Sequence, residues 1–196
     1  MKVRVLNGAH TAMVPIGIML GLETVREVMD HPRAARFIED LVFREILPTL
    51  DLPEDERESF AADVLDRFRN PFIQHRLSSI ALNSLSKFKV RLLPSLLQYQ
   101  FRYRQVPERM VVVFAALLRF YKGEWRGQPI PLADDPAQVA WLQGLWRDYL
   151  IPDLIPQVLQ NQAVWGLDLS RINGLPERLR DVLSQLEETG FDGLIE

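Results

Sequence analysis

Pro107-Glu108-Arg109-Met110-Val111-Val112-Val113-Phe114-Ala115-Ala116-Leu117-Leu118-Arg119-Phe120-Tyr121 is the stretch whose reading decides the fold. Pro107 suits the opening of a helix, because a proline there forfeits no hydrogen bond that the helix needs. From Val111 to Tyr121 the residues are apolar nearly all round, and a helix of that kind is stable only at the centre of a protein. The rest of the chain must therefore supply amphipathic elements to cover it.

Working outward, prolines punctuate one helical pattern after another. Upstream, Ile73 to about Ser86 and Lys87 to Arg104 read as two stretches, the second broken at Pro94. Before them, Leu52-Pro53-Glu54-Asp55-Glu56 opens a helix with proline in its first turn and acids at the positive end of the dipole. Phe60, Val64, Leu65 and Phe68 hold its inner face until Asn70-Pro71 stops it. Ala35, Phe37, Ile38, Leu41, Val42 and Ile46 recur at helical spacing and predict one amphipathic helix from Pro32 to about Leu47. A shorter one, Thr24 to Asp30, ends at His31-Pro32, since a residue before proline avoids the helical region. Thr11 to Leu20 is apolar enough for a buried helix, which Pro15 is expected to bend or to end after its first turn. Downstream, Gly123 to Asp135 reads as a loop or minor excursion, and helices resume at Pro136 to Leu150, near Pro152 to Gln160, and at Pro176 to Thr189 with Gly190 as the stop. The expectation is an all-α fold, one domain over residues 1–196.

Composition narrows the function. With 196 residues and 47% of them hydrophobic, the chain can bury a full core. Its 23 basic and 26 acidic residues nearly cancel, so no global field recruits nucleic acid or an anionic membrane. The absence of cysteine removes disulfides, thiolate nucleophiles and thiolate zinc sites, and three histidines with no H-E-x-x-H argue against a catalytic metal. The longest apolar windows fall short of the roughly 18 residues that span a bilayer. A cytoplasmic protein is expected. No G-x-G-x-x-G follows a strand-like run, and the pair Gly17 and Gly21 reads as a close helix contact rather than a phosphate cradle.

The chemistry concentrates in the first ten residues, M-K-V-R-V-L-N-G-A-H. Lys2, Asn7 and His10 are spaced five and three apart, and in a helix they fall within an arc of roughly 140°. An amine, an amide and an imidazole on one face suit metal-free oxidation of an alcohol or reduction of a ketone. A lysine of lowered pKa takes the hydroxyl proton, while the Asn7 amide and a His10 ring N–H stabilise the alkoxide-like oxygen. The spacing alone fits better a solvated lysine, a turn asparagine and a packed histidine, since a three-residue pattern recurs by accident.

Lys-x4-Asn-x2-His in the setting K-V-R-V-L-N-G-A-H-T-A resembles the signature of the mannitol dehydrogenase family, the polyol-specific long-chain dehydrogenases. Arg67-Phe68-Arg69-Asn70-Pro71 resembles that family's R-F-x-N-P element, and Ile80-Ala81-Leu82-Asn83-Ser84-Leu85-Ser86-Lys87 resembles the segment ending in a substrate-binding lysine. The resemblance implies a multi-helix substrate and catalytic domain, like the C-terminal domain of the mannitol and 6-phosphogluconate dehydrogenases. It implies Lys2, Asn7 and His10 as catalytic residues, NAD as cofactor, and a Rossmann domain ahead of this one that holds the cofactor. The chain then reads as the substrate-side part of a larger enzyme, with Met1 an added start. Asn83-Ser84-Leu85 stands where mannitol and fructuronate branches usually show Asp-Gly-Ser, which favours the branch that interconverts tagaturonate and altronate over a fructuronate or polyol enzyme.

A sugar acid brings a carboxylate that must be paired once it leaves water. Lys87 is the first candidate, by its match to the family's lysine; Lys89, Arg91 and His75 are candidates by proximity in sequence. Asn70 reads as a helix-stop residue. Two readings compete with this one. The basic residues interleaved with Phe88, Tyr99, Phe101 and Tyr103 could mimic a single-strand RNA platform, against which the overall acidity argues. The other rival is a non-enzymatic helical module that binds a protein partner.

Overall fold

The computed structural model describes residues 1–195. Twelve α-helices gather around one of their number, with a two-strand hairpin as the sole sheet among the described residues. The central helix is the one expected. α8 spans Glu108–Phe120, and every residue from Met110 to Phe120 is buried. Helix α1 (Leu6–Met19) and helix α12 (Leu175–Thr189) pack directly against it. The two strands, β1 (Glu124–Trp125) and β2 (Gln128–Pro129), form the minor excursion after α8. Among the described residues no helix is long and apolar enough to cross a membrane.

Helix α1 runs unbroken through Pro15, contrary to the expected bend or early stop. The missing N–H costs one helical hydrogen bond, but ten of its fourteen residues are buried, and that packing outweighs the lost bond. Gly17 is a close contact, as its spacing suggested: a Cβ there would lie 2.5 Å from Leu77 Cδ1 and 2.8 Å from Val28 Cγ2. It lets α2 (Val25–Asp30) and the short α5 (Leu77–Ile80) press onto α1. Gly21 does something else. It has open space around it and φ of 78°, and Leu22 N–H reaches back to the Gly17 carbonyl at 2.9 Å, so it closes the helix.

The predicted helix from Pro32 to Leu47 is three pieces rather than one. α3 (Pro32–Asp40) gives way to a π-helical turn, Leu41–Ile46, and then to a 3-10 turn, Leu47–Thr49. The widened turn presents Glu45, which is 3% exposed, to the start of α8. Its carboxylate accepts the Arg109 and Met110 backbone N–H groups at 2.8 and 2.9 Å, donors that α8 itself cannot satisfy. α4 (Glu54–Phe68) stops as expected, and the Asn70 carboxamide oxygen accepts Phe72 N–H at 2.9 Å in a local turn. The stretches 73–86 and 87–104 divide differently from expectation, into α5, α6 (Ser84–Arg91) and α7 (Leu93–Tyr103), with the break at Leu92 rather than at Pro94. Pro94 sits in the first turn of α7, where it is harmless. Beyond the hairpin lie α9 (Pro136–Asp148), α10 (Ile151–Leu159) and the single turn α11 (Gln162–Trp165).

Candidate active site

The site forms where α1 crosses α6. Residues 2–5 make an open turn, and Val5, buried, leads into the helix. Lys2 lies in that turn, not in the helix, and is exposed. Its carbonyl accepts Asn7 N–H at 3.0 Å, a five-residue step wider than an α-helical turn. The burial expected of Lys2 is therefore absent: among the described residues its side chain stands exposed. The turn itself is pinned by its neighbour Arg4, whose Nε donates to Ser95 Oγ at 2.8 Å and whose NH2 donates to Thr49 Oγ1 at 2.6 Å. Both acceptors are buried.

Asn7 and His10 follow on one side of α1, half-buried. Thr11 Oγ1 donates to the Asn7 carbonyl at 2.8 Å and accepts Arg91 NH1 from α6 at 3.3 Å. That chain of contacts joins the two helices at the motif. The His10 ring is walled by the Phe68 ring at 4.5 Å and by the His75 ring, edge-on, at 4.9 Å. These rings border a cavity of about 100 Å³ shared with Leu6, Val25, Arg67 and Ile73. Burial, and after it the charges of His75 and Arg91, push the His10 imidazole down to about 4. At neutral pH it is an uncharged ring with one N–H to donate.

Lys87 and Arg91 stand four residues apart on one face of α6. Lys87 Nζ donates to the Ile80 carbonyl at 2.8 Å. Burial and then the Arg91 charge hold the Lys87 ammonium below its usual value, with Asp134 acting the other way, and burial lowers Arg91 as well. Lys89 does not join them. Two residues along a helix turn through about 200°, and its Nζ lies 3.9 Å from where a Cβ on Gly166 would be, beside α11.

The structure thus brings His10, His75 and Arg91 together, sets Lys87 beside Arg91, and leaves Lys89 outside the group. Phe88 is fully buried and stacks on Phe114 at 4.7 Å, so it offers no face to a base. Among the described residues no three His, Asp or Glu side chains converge as a metal site. Thr11, Arg67 and Phe68 went unassigned in the sequence, although Thr11 follows the histidine directly and Arg67-Phe68 opens the R-F-R-N-P element. Arg4 lay inside the opening run with no spacing to mark it.

Known proteins share this fold and much of this sequence. The family described as "Mannitol dehydrogenase C-terminal domain" matches residues 1–187. An altronate oxidoreductase of Yersinia pestis is 46% identical over 193 residues, covering 94% of this chain and 40% of its own length. That of Pectobacterium carotovorum is 42% identical over 205 residues, covering all of this chain and 42% of its own. Among solved structures, Pseudomonas fluorescens mannitol 2-dehydrogenase, in a ternary complex with NAD and D-mannitol, superposes with a TM-score of 0.87 at 23% identity, over 99% of this chain and 39% of that one. The chain spans about 40% of the length of the curated relatives it matches. With a family match across nearly its whole length and relatives above 40% identity, this chain belongs to the mannitol dehydrogenase C-terminal domain family.

Proposed function

We propose that this chain is the substrate-binding and catalytic domain of a longer, cytoplasmic, NAD-dependent oxidoreductase that interconverts tagaturonate and altronate. The observation that carries the reading is the juxtaposition, at the α1–α6 crossing, of an oxygen-holding pair, Asn7 and His10, with a cationic pair, Lys87 and Arg91. A sugar acid presents matching groups, a reacting carbonyl or hydroxyl at one carbon and a carboxylate at the chain end. The relatives at 42–46% identity are named for altronate, which fits a site with positive charge to spare for an acid.

When bound, NAD supplies or accepts the hydride, as expected from the relative solved with it. The described residues do not fit a dinucleotide. A pyrophosphate cradle needs a strand, a glycine turn and a helix start, and the sole sheet here is two strands of two residues. We assign that role to a Rossmann domain preceding this one.

This chain's own residues then do the following. In reduction, protonated Lys2 gives its proton to the carbonyl oxygen; in oxidation the neutral amine takes it back. The Asn7 amide and the His10 N–H hold that oxygen while charge builds on it. A neutral His10 serves here as a donor that does not compete with Lys2 as the acid. Lys87 and Arg91 pair with the carboxylate and fix the distance between the two ends of the substrate. Lys2 would meet its low-dielectric surroundings only when the cofactor domain and substrate close over it.

The test is a panel of altronate, mannonate and mannitol with NAD and the full-length enzyme. Altronate should give the highest kcat/KM. A preference for mannitol would overturn the sugar-acid reading, and a preference for mannonate would move the enzyme to the fructuronate branch. The family match and the relatives named for altronate favour this reading over the non-enzymatic module.

A further inference from the structure

Helix α6 carries both cations of the site yet has no cap of its own. Its preceding residue, Asn83, sits in the left-handed region at φ 55° and makes no side-chain cap. The Asn83 N–H and one first-turn donor, Leu85 N–H, are instead satisfied from the end of α8 and the loop that leads to α9. Asn83 N–H donates to the Ala133 carbonyl at 2.8 Å. Leu85 N–H donates to the Tyr121 hydroxyl at 3.0 Å and to Asp134 Oδ2 at 3.2 Å. Tyr121 closes the triangle by donating its own proton to the Asp134 carboxylate.

Tyr121 is 1% exposed, at the end of the central helix, and its hydroxyl bonds to Leu85 and Asp134, neither of them a residue of the proposed reaction. Burial, and then its bond to Asp134, push the phenol up, so it stays a donor toward Asp134 and an acceptor toward Leu85. A carboxylate at the start of α6 also complements the helix dipole. The same Asp134 acts on Lys87 two residues further along, where its charge favours the ammonium form.

We propose that Tyr121 and Asp134 are positioning residues that set the start of α6, and through it the placement of Lys87 and Arg91 at the substrate carboxylate. This rests on the reading of Lys87 given above. The clasp links the rigid core helix to the binding helix. It therefore governs affinity for an acidic substrate more than the chemistry at the carbonyl end. Ser84, buried and donating to the Ala81 carbonyl at 2.8 Å, holds the turn before α6 but reaches neither cation.

The experiment compares Tyr121→Phe, Asp134→Asn, Lys87→Ala and the Lys87→Ala/Asp134→Asn double variant in the full-length enzyme. Each is assayed with altronate and with mannitol, and hydrogen exchange is followed on residues 84–91. Tyr121→Phe keeps the ring and its packing, so it guards against a simple folding defect. For both clasp variants we expect altronate KM to rise about 10-fold with kcat within about 2-fold, mannitol kinetics to change less than altronate kinetics, and exchange to quicken in α6 ahead of α8. In the Lys87→Ala background, Asp134→Asn should raise altronate KM by a smaller factor than it does alone, because the part acting through Lys87 is gone and only the displacement of Arg91 remains. Equal losses on both substrates, or unchanged exchange in α6, would overturn the clasp while leaving a selective Lys87→Ala effect intact. If Lys87→Ala itself shows no preference for the acid, the carboxylate reading fails and the clasp's role in binding falls with it.

Discussion

The two ends of the Lys2–His10 run sit in opposite surroundings. Lys2 stands exposed in an open turn, while His10, one helical stretch later, is walled by Phe68, His75 and the Arg91 side of α6. The imidazole's protonation is already set by this chain, chiefly by burial. The lysine's surroundings are not, although its turn is pinned through Arg4. One end of the site is thus built within the domain, and the other is held in place for something to cover.

The sharpest way to break that contrast is to assay the chain by itself. With Lys2 uncovered and no pyrophosphate cradle among the described residues, the purified 1–196 chain should show no measurable oxidoreductase turnover and weak NAD binding by calorimetry. Turnover would mean that the exposed end is complete as it stands.

Within the full-length enzyme, Lys2→Ala should lower kcat for altronate oxidation by about 100-fold or more, and an added primary amine should restore part of it. Variants at Asn7 and His10 should lose a similar factor with no rescue, because they remove hydrogen-bond donors rather than a base. The limb of the oxidation pH profile that reports the base should vanish with Lys2→Ala alone. If it persists there, another group is the base.

The last test concerns the buried end. The unfolded chain protonates this imidazole near 6.5 and the folded chain near 4. Between those values the unfolded state binds more protons, so stability is full above about 6.5 and declines as the pH falls toward 4. The decline attributable to His10 is at most about 3 kcal/mol. Replacing it in His10→Asn should flatten the melting temperature of the isolated domain over that interval. An unchanged acid slope would show that His10 is not held neutral by the fold.

Much of the fold was legible because its signals are local. Prolines in first turns, acids at the start of α4 and the wholly apolar run of α8 each act within a few residues. Local signals failed where a distant partner decides. The π turn at 41–46 forms where Glu45 meets the donors of α8, and Pro15 is carried through α1 by burial against α5, α6 and α8. Neither partner is near in sequence.

The candidate site divides along the same line. Lys2, Asn7 and His10 share a spacing, and Lys87 ends a segment with a family likeness, so residue order alone was enough to single them out. That Arg91 joins His10 while Lys89 turns away follows from the direction of α6 against α1, which no spacing rule contains. Phe68 at the end of α4 and His75, whose carbonyl accepts Val25 N–H at 3.0 Å, meet His10 across 58 and 65 residues of chain. Tyr121 and Asp134 meet Leu85 across 36 and 49 residues of chain. The sequence by itself determined most of the helical elements and the candidate groups for the chemistry, since those depend on short-range periodicity and on side-chain type. Only the tertiary structure decided which of those groups meet and how deeply each is buried, because desolvation and charge act through space between helices that the chain order does not place side by side.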